Sequence, residues 1–473
     1  KKEHATIRPF RCVWQRNPAL KSNPMNSLER RAVALLASIY ALRMAGLFLI
    51  LPVFALYALD LEGHTPLLIG IAIGAYGLTQ AILQIPFGML SDHLGRKPVI
   101  AAGLLIFAVG SVIAANADSI WMVIAGRAVQ GAGAIAAAVM AMVSDLTREE
   151  QRTKAMAIIG MTIGASFVLS LILGPVLDGA IGVPGIFWMT GILALLAIGV
   201  IAFAVPTPVR IERDRSRNLR EEFARILRDT QLLRLDAGIF VLHLVMTAMF
   251  VVLPGVIVQQ LGLAAHAHWE LYLPVMLAGF AAMLPFLIYA NRKRVTRSVL
   301  AGSVAVLIVA QLLFLFGHTT HTGLIVGLWL FFASFSLLEA MLPSLVSRLA
   351  PGESKGAAIG VYSSSQFLGA FAGGALGGLL LGKFGVSGVF MLTTVLLGAW
   401  LLLILSMREP RFLATHQLRV SVQTAREAEK LAKKLSQVPG VAEAIVIAEE
   451  GIAYLKVDPH TFDKKRLDAI SVS

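Results

Sequence analysis

The sequence predicts an all-α membrane protein of twelve transmembrane helices in two six-helix halves, followed by a small α+β domain. Three observations predict it. Of the 473 residues, 57% are hydrophobic and 15% are charged, well under the roughly 25% charge of a soluble domain. Twelve apolar runs reach the ~20 residues needed to cross a bilayer. They occupy residues 31–58, 67–90, 98–115, 121–143, 154–177, 186–205, 237–260, 271–290, 299–317, 324–346, 356–381 and 389–407. An internal repeat relates the first six runs to the last six at offsets of 202, 199 and 201 residues. Leu51-Pro52 answers Leu253-Pro254, Pro86-Phe87 answers Pro285-Phe286, and Lys154-Ala155-Met156-Ala157-Ile158 answers Lys355-Gly356-Ala357-Ala358-Ile359.

Residues 1–26 contain no apolar core and are read as a tail, either unstructured or a translated upstream extension, with Met25 the expected start and no cleavable signal peptide. The single cysteine, Cys12, lies in this tail; one cysteine excludes an internal disulfide and any multi-cysteine metal site. The first half spans 27–206, a charged linker 207–235 and the second half 236–410. Connections after even-numbered runs carry Arg96 and Lys97; Arg148, Arg152 and Lys154; Arg292, Lys293, Arg294 and Arg297; and Arg348 and Lys355. The linker carries eight arginines, and connections after odd-numbered runs carry only Lys383. The positive-inside rule therefore places both termini in the cytoplasm. The same clustering accounts for the net charge of +13 without a nucleic-acid partner, since no soluble basic domain and no interleaved aromatics accompany it.

Between the second and third runs, residues 88–98 form a charged loop that must turn tightly at the membrane surface. Gly88 and Gly95 supply close approach and backbone freedom, and Asp92 and Arg96 stand one helical turn apart. Linker residues 218–233 read as an amphipathic surface helix. After residue 410 the composition becomes polar, with a strand at 417–422, a helix at 424–435, strands at 441–448 and 452–457, and a final helix at 461–470. That βαββα order suggests a ferredoxin-like domain over 411–473.

Charges inside spanning runs are the first candidates for function, because burying one in lipid is costly. Glu339 lies roughly 20 Å along its helix from Ile325 and about 13 Å from Arg348. A carboxylate at that depth is expected to face the bundle interior, where burial disfavours its charged form and suits it to carry a proton; a structural pair with a basic residue is the competing reading. Arg43 lies some 18 Å into the first run, with no acid one turn before it, so its partner must come from another helix, Glu339 or a substrate anion among the candidates. His243, in the repeat-related seventh run, can titrate near neutral pH or simply pack in the core. Arg127 heads the run Arg127-Ala128-Val129-Gln130-Gly131-Ala132-Gly133, whose glycines allow close helix packing. Tyr76 and Gln80, extended by Gln84, share one helix face, as do Tyr362 and Gln366; such faces line a polar cavity or hydrogen-bond between helices. Nothing resembles a nucleotide-binding loop, and no cofactor or metal is expected.

The run Gly88-Met89-Leu90-Ser91-Asp92-His93-Leu94-Gly95-Arg96-Lys97-Pro98 resembles the signature loop between helices two and three of the major facilitator superfamily. Gly126-Arg127-Ala128-Val129-Gln130-Gly131-Ala132-Gly133 resembles its helix-four signature, and Gly174-Pro175-Val176-Leu177-Asp178-Gly179 resembles its helix-five antiporter signature, with Ser170 and Asp178 standing where glycines are expected. With Leu68-Ile69-Gly70-Ile71-Ala72-Ile73-Gly74, Gln84-Ile85-Pro86-Phe87-Gly88, Ser144-Asp145-Leu146-Thr147-Arg148-Glu149 and Tyr362-Ser363-Ser364-Ser365-Gln366-Phe367-Leu368-Gly369, the chain is similar to the proton-coupled drug antiporters of that superfamily, in particular the YajR-type transporters that add a ferredoxin-like domain.

The resemblance implies a major facilitator fold in a bacterial inner membrane and proton-driven export of small amphipathic compounds. Glu339, Arg43, Arg127 and His243 would couple to protons, and Tyr76, Gln80, Gln84, Tyr362 and Gln366 would line the substrate cavity. It also implies a latch in which Asp92 meets the start of the eleventh helix near Gly356, Arg96 pairs with Asp145, and Gly88 lets the halves touch, with Gly95 in the turn. His93 stands where the signature often carries arginine. A proton-coupled nutrient symporter, or a ligand-sensing transporter governed by its terminal domain, are the alternatives.

Overall fold

The structure, a computed structural model, describes residues 24–207, 219–293, 295–350, 355–407, 409, 414–420, 422, 425–447, 451–458 and 462. The tail with Cys12 and most of the helix expected at 461–470 lie outside these residues. The chain divides into two units, one of residues 24–408 and one that includes residues 409–473.

In the larger unit, α1 (Ser27–Phe48) opens on a capping box. The Asn26 side chain accepts from the Glu29 amide at 2.7 Å, and the Glu29 carboxylate accepts from the Asn26 amide at 2.8 Å, satisfying two otherwise orphaned donors. Helix α1 ends before Pro52, which cannot continue the backbone ladder, and the short α2 (Phe54–Tyr57) follows. Its repeat counterpart α9 (Thr230–Leu261) instead runs straight through Pro254, so the matching prolines do not give matching breaks.

Helices α3 (Pro66–Leu94) and α4 (Arg96–Ala115) are separated by Gly95 alone. The eleven-residue loop expected at 88–98 is therefore a one-residue turn, and Asp92 sits in the last turn of α3. Gly95 has φ 97° and ψ 155°, a backbone region open in practice only to glycine, which permits so short a connection. Helices α5 (Ile120–Ala132) and α6 (Ala136–Asp145) are one span interrupted at residues 133–135.

Helix α7 (Glu149–Gly199) holds two spans joined at Gly182, where φ is 70°. The amphipathic helix expected at 218–233 is shorter: α8 (Leu219–Ile226) ends early, and Asp229 caps a new helix, α9, by accepting from the Gln231 and Leu232 amides. Then come α10 (Trp269–Lys293), α11 (Thr296–Gly317), α12 (His321–Leu349) and α13 (Lys355–Leu405), the last again two spans, joined at Gly385. Ten helical runs among the described residues are long and apolar enough to span, and the two double-length ones bring the spans to twelve.

The two halves meet closely along α3 and α13. A Cβ at Gly70 would overlap the Gly374 carbonyl, one at Gly378 the Pro66 carbonyl, and one at Gly77 the Phe367 carbonyl, so only glycine admits this approach. The seam loosens toward the other ends of both helices. A Cβ at Gly360 would lie 4.0 Å from Ile85, the Gly356 position is open, and Gly88 faces Ala137 of its own half. Aromatic rings also bridge the halves: Phe167 of α7 lies 5.1 Å from Phe48 and 5.4 Å from Phe335 of α12, centroid to centroid.

In the smaller unit, β1 (Ala414–Arg419), β2 (Val441–Ile447) and β3 (Ile452–Val457) form an antiparallel sheet in the order β1-β3-β2. Leu418 pairs with Ala453, and Ala444 with Leu455. Because β1 and β2 flank β3 and are connected through α14 (Ala425–Leu435), they form a split β-α-β unit. Its core is Leu418, Leu435, Val438, Ala453, Leu455 and Val457. Strand β1 begins three residues before the expected 417.

Candidate functional site: two buried polar clusters

The residues predicted for proton coupling and for the cavity gather in two clusters, one in each half. In the first half, α1 contributes Arg43, α3 contributes Tyr76, Gln80 and Gln84, and α5 contributes Arg127. Arg43 is fully buried. Its Nη2 donates to Gln80 Oε1, and the Gln80 amide donates to Gln84 Oε1 at 2.9 Å. The four-residue spacing of the two glutamines stacks them on one face of α3. Arg127, also fully buried, donates to Gln130 Oε1 at 2.9 Å, and Gln130 donates to Ser111 of α4 at 2.8 Å. Longer contacts of 3.5 Å reach the Gly46 and Ile73 carbonyls. The Tyr76 ring lies 5.6 Å from the Arg43 guanidinium carbon and 5.1 Å from that of Arg127, so its π-face is attractive to both cations. Tyr76 also stands 6.4 Å from Phe367 of the opposite half, centroid to centroid.

In the second half, Glu339 of α12, His243 of α9 and Gln366 of α13 converge. The Gln366 amide lies 2.8 Å from His243 Nε2 and 3.4 Å from Glu339 Oε1, and His243 Nε2 lies 3.9 Å from Glu339 Oε2. The Gln366 nitrogen can only donate, so here His243 accepts at Nε2 and carries its proton on Nδ1. The amide thus bridges a neutral imidazole and a carboxylate. Phe335, 5.9 Å from the His243 ring, walls the cluster. Tyr362 is buried, and its hydroxyl has no partner among the described residues.

The direct pairing of Arg43 with Glu339 offered by the sequence is not found. Arg43 reaches Gln80 within its own half, while Glu339 is engaged by Gln366 and His243, because each half packs its polar groups inward around its own helices.

At the α3–α4 turn, Arg96 Nη2 lies 2.6 Å from Asp92, Nε donates to Asp145 Oδ2 at 2.9 Å, and Nη1 donates to Ser91 at 2.6 Å. One guanidinium thereby ties α3, α4 and α6 together. Gly95 makes the turn, and Gly88 rests against α6 rather than the opposite half.

Three further buried polar groups carry no clear signal in the sequence. Asp236 is a buried carboxylate whose Oδ2 is unpartnered. It lies two turns before His243 on α9. The seventh apolar run begins at residue 237 by hydrophobicity, which leaves this acid one position outside. Ser111 offers no signal in a helix. Glu29 accepts from Arg148 Nε at 2.9 Å, from Arg148 Nη2 at 3.0 Å and from the Arg148 amide at 3.0 Å; only its place before the first run hints at a role.

The family described as the Major Facilitator Superfamily matches residues 36–371 and 290–439. The chain is 44% identical over 431 residues to the inner membrane transport protein YajR of Escherichia coli (strain K12), covering 91% of this chain and 94% of that protein. It is 26% identical over 336 residues to the multidrug resistance protein MdtH of Yersinia pestis (strain Pestoides F), covering 70% and 81%. A crystal structure of a bacterial homolog to the human lysosomal transporter Spinster, in an inward-facing and occupied conformation, shares the fold. Its TM-score is 0.66 at 12% identity, over 80% of this chain and 97% of that one. With twelve spans in two halves meeting on a glycine seam, the chain belongs to the Major Facilitator Superfamily as a YajR-type membrane transporter.

Proposed function

We propose that the protein is a proton-driven exporter of small amphipathic compounds working by alternating access. The observation that carries this reading is the Glu339–Gln366–His243 cluster, because Gln366 sits on α13, the helix that forms the seam with the opposite half. A proton on His243 Nε2 removes the acceptor that holds Gln366, and a proton on Glu339 weakens the second tie. Titration of the cluster is thereby linked to the helix on which the two halves turn. Arg127 ties α5 to α3 and, through Gln130, to α4 within the first cluster, while Tyr76, Gln80, Gln84 and Tyr362, buried here, are expected to line the substrate path when the halves part.

The charge pattern of the loops supports a cytoplasmic setting for both termini and the α3–α4 turn. In that orientation the tight end of the α3–α13 seam is periplasmic and the loose end cytoplasmic, an inward-facing arrangement. In the outward-facing state, Asp92 meets the start of α13 near Gly356 and Gly88 closes on the opposite half, with Arg96 held to Asp145. The names of YajR and MdtH favour an inner-membrane setting and multidrug export. The split β-α-β unit supports a ferredoxin-like terminal domain, and no cofactor is needed.

The test is proton release from inverted, acid-loaded vesicles on adding a panel of amphipathic compounds of either charge. Native protein is expected to release protons with at least one compound, with a rate that depends on pH. Glu339→Gln, which mimics the protonated acid permanently, is expected to lose the release and its pH dependence. Compound-driven release that survives Glu339→Gln would sink the assignment of this carboxylate.

A further inference from the structure

We infer that the transported compound carries an anionic group, a carboxylate, sulfonate or phosphate, and that Arg43 is the residue that binds it. The inference rests on the proton-driven export reading and names its substrate class.

Arg43 and Arg127 place two guanidinium groups in one cluster with no exposed surface, 5.6 and 5.1 Å from the centre of the Tyr76 ring. No carboxylate bonds to either among the described residues. The pair is not equivalent. Arg127 is engaged on both terminal nitrogens, by Gln130 and by backbone carbonyls, and only its Nε is buried without a partner, which is nearer the pattern of a structural arginine. Arg43 makes one side-chain bond, from Nη2 to Gln80, and its Nε and Nη1 are buried without partners. A buried cation with two of three nitrogens unpaired is costly, and the Tyr76 face offsets only part of that cost. What the cluster lacks is negative charge, and the planar guanidinium of Arg43, with two nitrogens unpartnered, matches a carboxylate, sulfonate or phosphate. The position fits a substrate. Arg43 stands beside Tyr76, which touches Phe367 of the opposite half, so the charge lies next to the surface that opens when the halves rock. Glu339 belongs to the other half and bonds to Gln366 there, so an anion bound at Arg43 leaves Glu339 free to take a proton.

The charge balance has a consequence of its own. Exporting a monoanion while one proton enters moves two positive charges inward, so an inside-negative potential accelerates the exchange. Exchanging a monocation for one proton moves none.

The experiment uses full-length protein in proteoliposomes with two probes of matched shape, 2-naphthalenesulfonate and trimethyl(2-naphthyl)ammonium. The sulfonate is expected to bind and to drive proton movement that quickens with an imposed inside-negative potential, while the ammonium does neither. Arg43→Gln should weaken sulfonate binding at least tenfold, and Arg43→Lys less. Gln80→Glu supplies Arg43 with an internal counter-ion and should abolish sulfonate binding while the protein remains folded, which guards against a misfolded Arg43→Gln. Ammonium-driven proton movement with an inert sulfonate would overturn the inference and leave proton-driven export standing. Sulfonate binding unchanged in both Arg43→Gln and Gln80→Glu, or no binding of either probe, would also overturn it. Arg43-dependent sulfonate transport without proton movement would support the anion site and sink the proton-coupled reading.

Discussion

Buried polar side chains are conspicuous in an apolar run, which is why Arg43, Arg127, His243 and Glu339 stand out in the bare sequence. Most of their partners do not. Arg127 meets Gln130 three residues on in its own helix, a local spacing, but whether Arg43 meets Gln80 or a carboxylate depends on helix rotation and crossing, which no local pattern encodes. Asp236 is inconspicuous for a smaller reason, lying at the edge of a span whose start shifts by a few residues with the criterion used. The Arg127–Gln130–Ser111 chain makes a prediction at this scale. Replacing Gln130 by leucine leaves Arg127 Nη1 only its long contact to the Gly46 carbonyl and removes the bond into Ser111, whose hydroxyl keeps the Phe107 carbonyl; this should cost about 1–3 kcal/mol, read as a lowered Tm of the detergent-purified protein. Gln130→Glu, which keeps an acceptor, should cost less.

At the scale of elements, glycines decide how closely helices approach and where they turn. The twelve spans follow from run length and charge, because a bilayer tolerates few other solutions. Their ends follow less well. The charged stretch 88–98 reads as a loop by polarity, yet α3 continues through Asp92 and His93 because Gly95 makes the whole turn. Adding a methyl group there, Gly95→Ala, should destabilise the protein by about 1–3 kcal/mol through backbone strain alone, visible as a lower Tm, while Gly88→Ala, with φ unconstrained, costs less. On the seam, Gly70→Leu would drive its side chain into the Gly374 backbone. The expected result is loss of transport in a protein that still inserts. Cysteines at positions 67 and 378, introduced after Cys12→Ser, should cross-link in the native background and fail to do so with Gly70→Leu. Cross-linking that persists would show that the seam absorbs the added volume elsewhere.

At the scale of the whole molecule, the transmembrane unit and the terminal domain are separate bodies with separate cores. Since both polar clusters belong to the larger unit, deletion of residues 411–473 is expected to leave the flux of reconstituted protein within about twofold of native, in keeping with the usual independence of domains with their own cores. Loss of flux on deletion, with the shortened protein still inserted and folded, would favour the sensor reading.

Sequence alone determined the class of this protein, the number of its spans, its twofold internal repeat and the small α+β domain at its end. These rest on hydrophobic length, loop charge and residue period, which are additive along the chain. Only the tertiary structure decided that Pro52 breaks a helix while Pro254 does not, that Arg43 reaches Gln80 rather than Glu339, and that Gln366 joins Glu339 to His243 on the seam helix. Each of these depends on which faces of distant helices meet and at what depth. That choice is made by close packing around glycines such as Gly70 and Gly374, where a single methyl group would forbid the contact.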